Sequence, residues 1–545
     1  MVSKKKTTKK AAPKSAWKGY TKPEIIRKPR FIPPNNFWLP QFEAVYHFGV
    51  HGKGHGSINA VAGSGKTTAL VELAYRYIEA FPHHKVLCIA FNSSIRTELQ
   101  SRMPIGTVQE TCHSFGYKSV IRVWGDGKYN NFELQGPKGF VVKNLAEAVI
   151  GYEKEKEDDR DALCQAVSLA KTRLATNIEE VIEVMDYWGI ESTLKKEEFA
   201  KHVLWVMNEM KQRPGTGSEK GKKAITYDDQ VWLPIVNGWA PAEQYDLVLV
   251  DEAQDLSPAR KEIARRSLKP GGRMIVVGDP KQAIYNFAGA DIHALPDMTE
   301  ELKATILPLT CSFRCGKNII KEAQQINSII EAAPDAIDGI VDTMKPDDLI
   351  KKAKAGDAII SRTNAPLVKI FFKLAKKGVK VKMLGKDYGG MLSMRVSSWA
   401  KKAKKKGEVF TGSDLLAKND EWLEEQIEYL TKKKMDTNRA ADEHETVSAF
   451  CSDLSCKLNT ADAVKEVLER INNMFSKDEE PGKDDGKYFV TLSSTHKFKG
   501  LERERVFLLR DTYRPGNGEE EDNLLYVGIS RARSHLTYVR GKFQE

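Results

Sequence analysis

Apolar residues along this chain gather in short unbroken runs set between longer stretches with a helical rhythm. Positions 86–91, 247–250 and 274–277 are apolar without alternation, the pattern of strands buried on both faces of a parallel sheet. Residues 57–59 lead into small residues and glycines, and 69–74 then take up helical spacing. Helices are expected to begin at 39–45 and 92–100, and 107–115 reads as a polar and aromatic loop. A second α/β pattern follows residue 310. It has strands at 357–362 and 379–384 around a helix at 365–376, then strands at 488–493 and 505–509 and a last helix from 523.

Two stretches interrupt these patterns. Segments 162–174, 178–188 and 196–211 are amphipathic and densely charged, ending near a loop at 213–217. Residues 386–485 are helical, lysine-rich and irregular, up to a loop at 477–487. The predicted class is α/β, with two parallel-sheet cores each interrupted by a mainly helical insert. The first core is expected at 31–118 and 226–310, around an insert at 119–225. The second is expected at 311–385 and 486–545, around a shorter insert at 386–485. Residues 1–30, crowded with lysine, read as a disordered basic arm.

Chemistry enters at Ala60-Val61-Ala62-Gly63-Ser64-Gly65-Lys66-Thr67-Thr68. Strand, glycine turn and helix in that order make G-x-x-x-x-G-K-[ST] a phosphate-binding loop, although Ala60 replaces the first glycine. Backbone N–H groups close around phosphates there, and the helix N-terminus adds its positive dipole end. Lys66 would reach the β- and γ-phosphates of ATP and the Thr67 hydroxyl would hold Mg²⁺. Asp251, just past an apolar run, is the second candidate Mg²⁺ ligand, and Glu252 the candidate general base for water. Gln282, also just past a strand, is a candidate γ-phosphate sensor.

The 85 Lys and Arg against 74 Asp and Glu give a formal net charge of +11, which points to a polyanionic partner, nucleic acid above all. Seven cysteines form no disulfide framework and no zinc pattern, so they read as thiols in a reducing compartment. No apolar run is long enough to span a bilayer, and the lysine-rich start lacks a signal-peptide core. An intracellular soluble chain without membrane contact is expected.

Asp251-Glu252-Ala253-Gln254-Asp255, followed by Gly278-Asp279-Pro280-Lys281-Gln282-Ala283-Ile284-Tyr285-Asn286-Phe287-Ala288-Gly289-Ala290, resembles motifs II and III of superfamily 1 helicases of the UvrD/Rep type. Other motifs of that family arrive in its order. Gln41 resembles its adenine-reading glutamine, and Ala90-Phe91-Asn92 and Thr111-Cys112-His113-Ser114-Phe115 resemble its strand-contacting motifs Ia and Ib. Ser312-Phe313-Arg314 resembles motif IV, whose aromatic stacks on adenine and whose arginine reaches the γ-phosphate. Arg362-Thr363-Asn364-Ala365 resembles the short motif after it. Thr495-His496-Lys497-Phe498-Lys499-Gly500-Leu501-Glu502 resembles motif V, which touches nucleic acid and the nucleotide sugar. The segment from Glu520-Glu521 to Tyr526-Val527-Gly528-Ile529-Ser530-Arg531-Ala532-Arg533 resembles motif VI, with Arg531 as second arginine finger.

The resemblance covers roughly 38–118, 240–390 and 488–540 and implies two RecA-like motor cores that close on ATP and Mg²⁺. It also implies 3′-to-5′ movement on single-stranded DNA and at its junctions with duplex. Phe91, Asn92, His113, Phe115, Tyr285, Phe287, Arg362, Thr495 and His496 are then the candidate strand contacts. Base stacking on the aromatics among them is worth about 1–3 kcal/mol per base. Phe287-Ala288 stands where the family has Trp-Arg, Phe313 replaces a tyrosine, Asp522-Asn523 replaces two arginines, and the second insert is short. The implied activity is an ATP-dependent DNA helicase in replication, repair or recombination. Its rival is a strand-dependent ATPase that strips proteins without unwinding. RNA as the track is a further alternative, and a small-molecule kinase would leave Arg314, Gln282 and Arg531 without roles.

Overall fold

Six strands form the first sheet: β1 (Gly56–Ala60), β2 (Val86–Ala90), β3 (Thr107–Thr111), β4 (Tyr245–Val250), β5 (Leu268–Gly278) and β6 (Thr305–Leu309). The computed structural model describes residues 40–125, 132–190, 192–218, 221–286, 289–432, 437–452, 458–474 and 488–541. The expected basic arm, the loop at 477–487 and Phe287 lie outside those residues. All neighbours in the first sheet are parallel, in the order β3-β2-β4-β5-β1-β6. Val86, Cys88 and Ala90 of β2 face one apolar cluster, while Leu87 and Ile89 face the other. Helices cover both faces, which is why the run carries no polar alternation.

The second sheet comprises β7 (Ile340–Met344), β8 (Ala358–Ser361), β9 (Val381–Met383), β10 (Val490–Ser494), β11 (Arg503–Leu509) and β12 (Ala532–Val539). It too is parallel, in the order β7-β12-β11-β8-β10-β9. The expected α/β class with two parallel sheets is therefore present. Four strands went unread, β3, β6, β7 and β12. Three of them lie at sheet edges, where β6 tolerates Pro308 and β7 carries exposed positions.

Between the first sheet's strands, residues 132–226 fold around their own apolar cluster. It is not helical throughout. Phe132–Gln135, Lys223–Thr226 and Gly215–Thr216 form a small three-stranded sheet, so 213–217 is part of a hairpin rather than a closing loop. The stretch 107–115 is likewise no loop. It is β3 followed by the helix Cys112–Trp124, whose first turn is capped because Thr111 Oγ1 accepts from the Ser114 N–H at 3.1 Å.

The segment 386–474 behaves differently. Its helices Lys386–Lys405, Gly412–Lys432, Asn438–Ser452 and Ala461–Met474 bury Leu392, Val396, Leu415, Phe450 and Val467 in one cluster with Leu367, Val368 and Ile359 of the second sheet's layer. Asp442 adds a polar tie by accepting from the N–H groups of Asn364 (2.8 Å) and Ala365 (2.6 Å), at the start of helix Ala365–Lys376. Among the described residues no helix is long and apolar enough to cross a membrane.

Candidate nucleotide cleft and strand groove

Parallel strands send the loops that carry function to their carboxyl ends. Past β1, Gly65 adopts φ 82° and the helix Lys66–Ala80 starts directly after it. Gly63, at φ 74°, is required for a second reason. A Cβ there would fall 2.6 Å from Arg314 Cβ and 2.7 Å from Ser312 Oγ, so the strap after β6 could not approach. Phe313 N–H donates to Gly63 O at 2.9 Å, and Ala62 N–H donates to Tyr526 Oη at 3.1 Å. Ser64 Oγ is buried with no hydrogen-bond partner among the described residues, and Thr68 Oγ1 accepts from Arg102 at 2.8 Å.

Past β4 come the carboxylates. Thr67 Oγ1 donates to Asp251 Oδ2 at 3.0 Å, and Lys66 Nζ lies 3.0 Å from Glu252 Oε2. Glu252 takes a left-handed backbone, φ 52°, a strained state for a side chain of that size. Burial and the neighbouring Glu252 raise the Asp251 pKa. For Glu252 burial opposes ionisation, but Lys66 and Lys499 outweigh it and hold the carboxyl low. Burial would also discharge Lys66, and the surrounding Glu252, Asp279 and Asp251 more than reverse this. A hydroxyl and a carboxylate side by side are the oxygen donors Mg²⁺ takes, and the lysine and open loop amides suit phosphate. The residues present fit ATP with Mg²⁺, which when bound neutralises phosphate charge.

Groups from both halves of the molecule complete the cleft. Gln282 Nε2 donates to Asp279 at 2.8 Å, and Arg531 Nη2 reaches Gln282 Oε1 at 3.3 Å. Arg531 is buried and also donates to Val527 O at 2.9 Å; burial, then the neighbouring Arg314, pulls its pKa down to about 9. Arg314 pairs with Glu502 and lies against Gly63. Gln41 exchanges two hydrogen bonds with Thr310, at 2.8 and 2.9 Å, and Phe313 sits 6.1 Å from the Phe42 ring.

Four further residues had no role assigned from sequence. Tyr526 Oη donates to Asp279 at 3.2 Å while receiving the Ala62 N–H. Gln254 Nε2 donates to Glu252 at 2.6 Å and to Asp255 at 3.2 Å. Lys499 crosses from the second sheet to Asp255 at 2.6 Å and to Gln282 O at 2.6 Å. Each stood inside a quoted motif, but nothing local marks that Tyr526 and Lys499 have partners more than two hundred residues away.

Beside the cleft, Phe91 and Tyr285 stack with centroids 5.6 Å apart and planes 15° off parallel. His496 lies 6.5 Å from Tyr285, Lys499 Nζ 4.7 Å over its ring, and the Arg260 guanidinium 5.5 Å over Phe91. His113 lines, with Arg260, Lys138 and Ser168, an adjoining cavity of about 730 Å³. Burial, then Arg260, pulls the His113 pKa to about 4, and burial pulls His496 to about 3, so both are neutral at pH 7. Asn92 caps the helix Ser93–Arg102 and Arg362 pairs with Glu521 at 2.9 Å.

Two expected strand contacts need correction. Phe115 is 1% exposed and packs against Tyr245 in the core below β4, so its ring faces no groove. Thr495 is fully buried and spends its hydroxyl on Ser361 O and Tyr513, which leaves it to shape the loop rather than to touch a strand. Phe287 is outside the described residues.

The family model of the UvrD/REP helicase N-terminal domain matches residues 41–303, and that of the UvrD-like helicase C-terminal domain matches 489–539. F-box DNA helicase protein 1 of Schizosaccharomyces pombe is 24% identical over 529 residues, 88% of this chain and 55% of that protein. F-box DNA helicase 1 of Gallus gallus is 24% identical over 522 residues, 88% and 46% respectively. The putative ATP-dependent DNA helicase YjcD of Bacillus subtilis is 24% identical over 288 residues, 48% and 35%. The chain thus spans about half the length of the two F-box relatives. The two domains together take in more than half of the sequence, including five of the six strands of the first sheet, and the chain belongs to the superfamily 1 UvrD/Rep-like helicase family.

Proposed function

We propose that this chain is an ATP-dependent motor that moves 3′ to 5′ on single-stranded DNA and opens duplex at its junctions. The supporting observation is an unbroken line of contacts from the stacked aromatics to the phosphate loop. Tyr285 lies under Lys499, Lys499 binds Asp255, Gln254 joins Asp255 to Glu252, and Glu252 holds Lys66. A base stacked on Tyr285 would therefore act on the groups that hydrolyse ATP. Triphosphate draws Lys66 away from Glu252, whose basicity then rises toward what a water-activating base needs. Thr67 and Asp251 would hold Mg²⁺. Arg531, from the second sheet's side, and Arg314, on the strap after β6, would supply charge, a contribution worth about 10³–10⁵ in rate for arginine fingers. The DNA-helicase relatives support DNA as the track.

A second reading, an ATPase that strips protein from strands without unwinding, is favoured by the shared core of 386–474 and the second sheet. That sharing leaves the insert little freedom to swing against a duplex. The test is ATP turnover with and without single-stranded DNA, run beside unwinding of duplexes with a 3′ or a 5′ tail. Stimulation with opening of the 3′-tailed duplex is expected. Stimulation without opening would install the second reading, and stimulation by RNA alone would change the track.

A further inference from the structure

Beyond the family's motifs, one exposed ring sits next to the strand groove. Tyr187, near the end of helix Ile178–Trp188, is 59% exposed. The helix meets its core through Val181, Val184 and Met185, so this ring adds little to its packing. It is nevertheless held in place. Trp188 meets it edge-on, centroids 4.5 Å apart at 62°, and the Trp188 indole N–H donates to Asn286 O at 3.3 Å. The Asn286 side chain in turn donates to the Tyr187 hydroxyl. Arg173, paired with Asp291 at 3.7 Å, lies 5.8 Å from the Trp188 centroid.

Asn286 directly follows Tyr285, whose ring stacks on Phe91, so the exposed tyrosine continues the line of aromatics already described. An open aromatic face fixed in orientation is what single strands use for sequence-tolerant stacking. A base passing the Asn286 loop would meet it. We propose that Tyr187, anchored by Trp188 and Asn286, is a stacking shelf for a nucleobase of the strand, supplied by the segment between β3 and β4 rather than by either sheet. The proposal rests on the single-strand reading given above.

The test is binding of a labelled oligothymidylate to the full chain. Tyr187→Ala should weaken affinity about fivefold or more, the lower end of a lost stack. Tyr187→Phe, which keeps the ring and loses the hydroxyl, should bind as tightly as the parent. Equal weakening by both variants would mean that the hydroxyl only braces the loop, and would overturn the shelf. Unchanged affinity of Tyr187→Ala would overturn it as well, while leaving strand binding intact. No binding by the parent would defeat the single-strand reading and the shelf together. Photocrosslinking of the parent to an oligonucleotide carrying 4-thiothymidine gives an answer independent of any variant's folding. An adduct on tryptic peptide 174–195 is expected, and adducts confined to peptides of the two sheets would overturn the shelf.

Discussion

Lys66 and Glu252 hold each other at 3.0 Å, so neither can serve phosphate or water until that pair is broken. Lys66→Ala should abolish hydrolysis yet leave single-strand binding, and turnover close to that of the parent would refute the site. Arg531→Ala should retain nucleotide binding and lose turnover by about 10³; binding and steady-state rates measured side by side decide it. Lys499→Ala should keep strand binding but lose most of the stimulation of ATP turnover by DNA, because the tie from Tyr285 to Asp255 goes with it. A stimulation ratio equal to that of the parent would rule the tie out. His113 gives a pH signature. Its folded pKa of about 4 lies below its usual 6.5, so the unfolded chain takes up a proton that the folded chain refuses. Stability should be complete above pH 6.5 and fall as the pH drops toward 4, and His113→Gln should flatten that slope in thermal melts. Lys66 with Thr67, and Asp251 with Glu252, were legible because each pair sits in a short motif at a strand end, whereas their meeting across 184 residues is the work of the fold. Phe115 was not, since a buried position and a groove position look alike in a strand-to-helix junction. Lys499 and Asp255 were not, because only the tertiary fold joins them.

At the scale of elements, runs buried on both faces announced β2, β4 and the interior of β5, while β7 and β12 were hidden by polar positions that face solvent or loops. Helix Ala365–Lys376 matched its expectation to the residue, since Pro366 sits in its first turn and Gly378 follows its end. Its cap was invisible in sequence, because Asp442 arrives from a helix of the second insert. Asp442→Ala should lower stability by about 1–2 kcal/mol, the usual range for a lost N-cap with its partners buried. Denaturant melts would check this, and an unchanged midpoint would mean that water replaces the carboxylate without loss.

Over the whole molecule, the sheets face each other through contacts that belong to no single element. Lys499 with Asp255, Tyr526 with Ala62 and Asp279, and Lys281 with Glu519 at 2.9 Å all cross the cleft. Opening and closing should therefore appear as a distance change between dyes on the two sheets when ATP is added. Dyes on 386–474 and on the second sheet should keep a constant separation, and a change there would show that the insert swings after all.

That shared core also bears on how the chain is made. The centre of the second sheet is β8, held between β10 and β11, and Ile340 of β7 waits for His535 of β12. None of these pairs can form while synthesis is still within the insert. Its helices would meanwhile expose apolar faces meant for strands not yet translated, so this half should need chaperone cover until the last strand emerges.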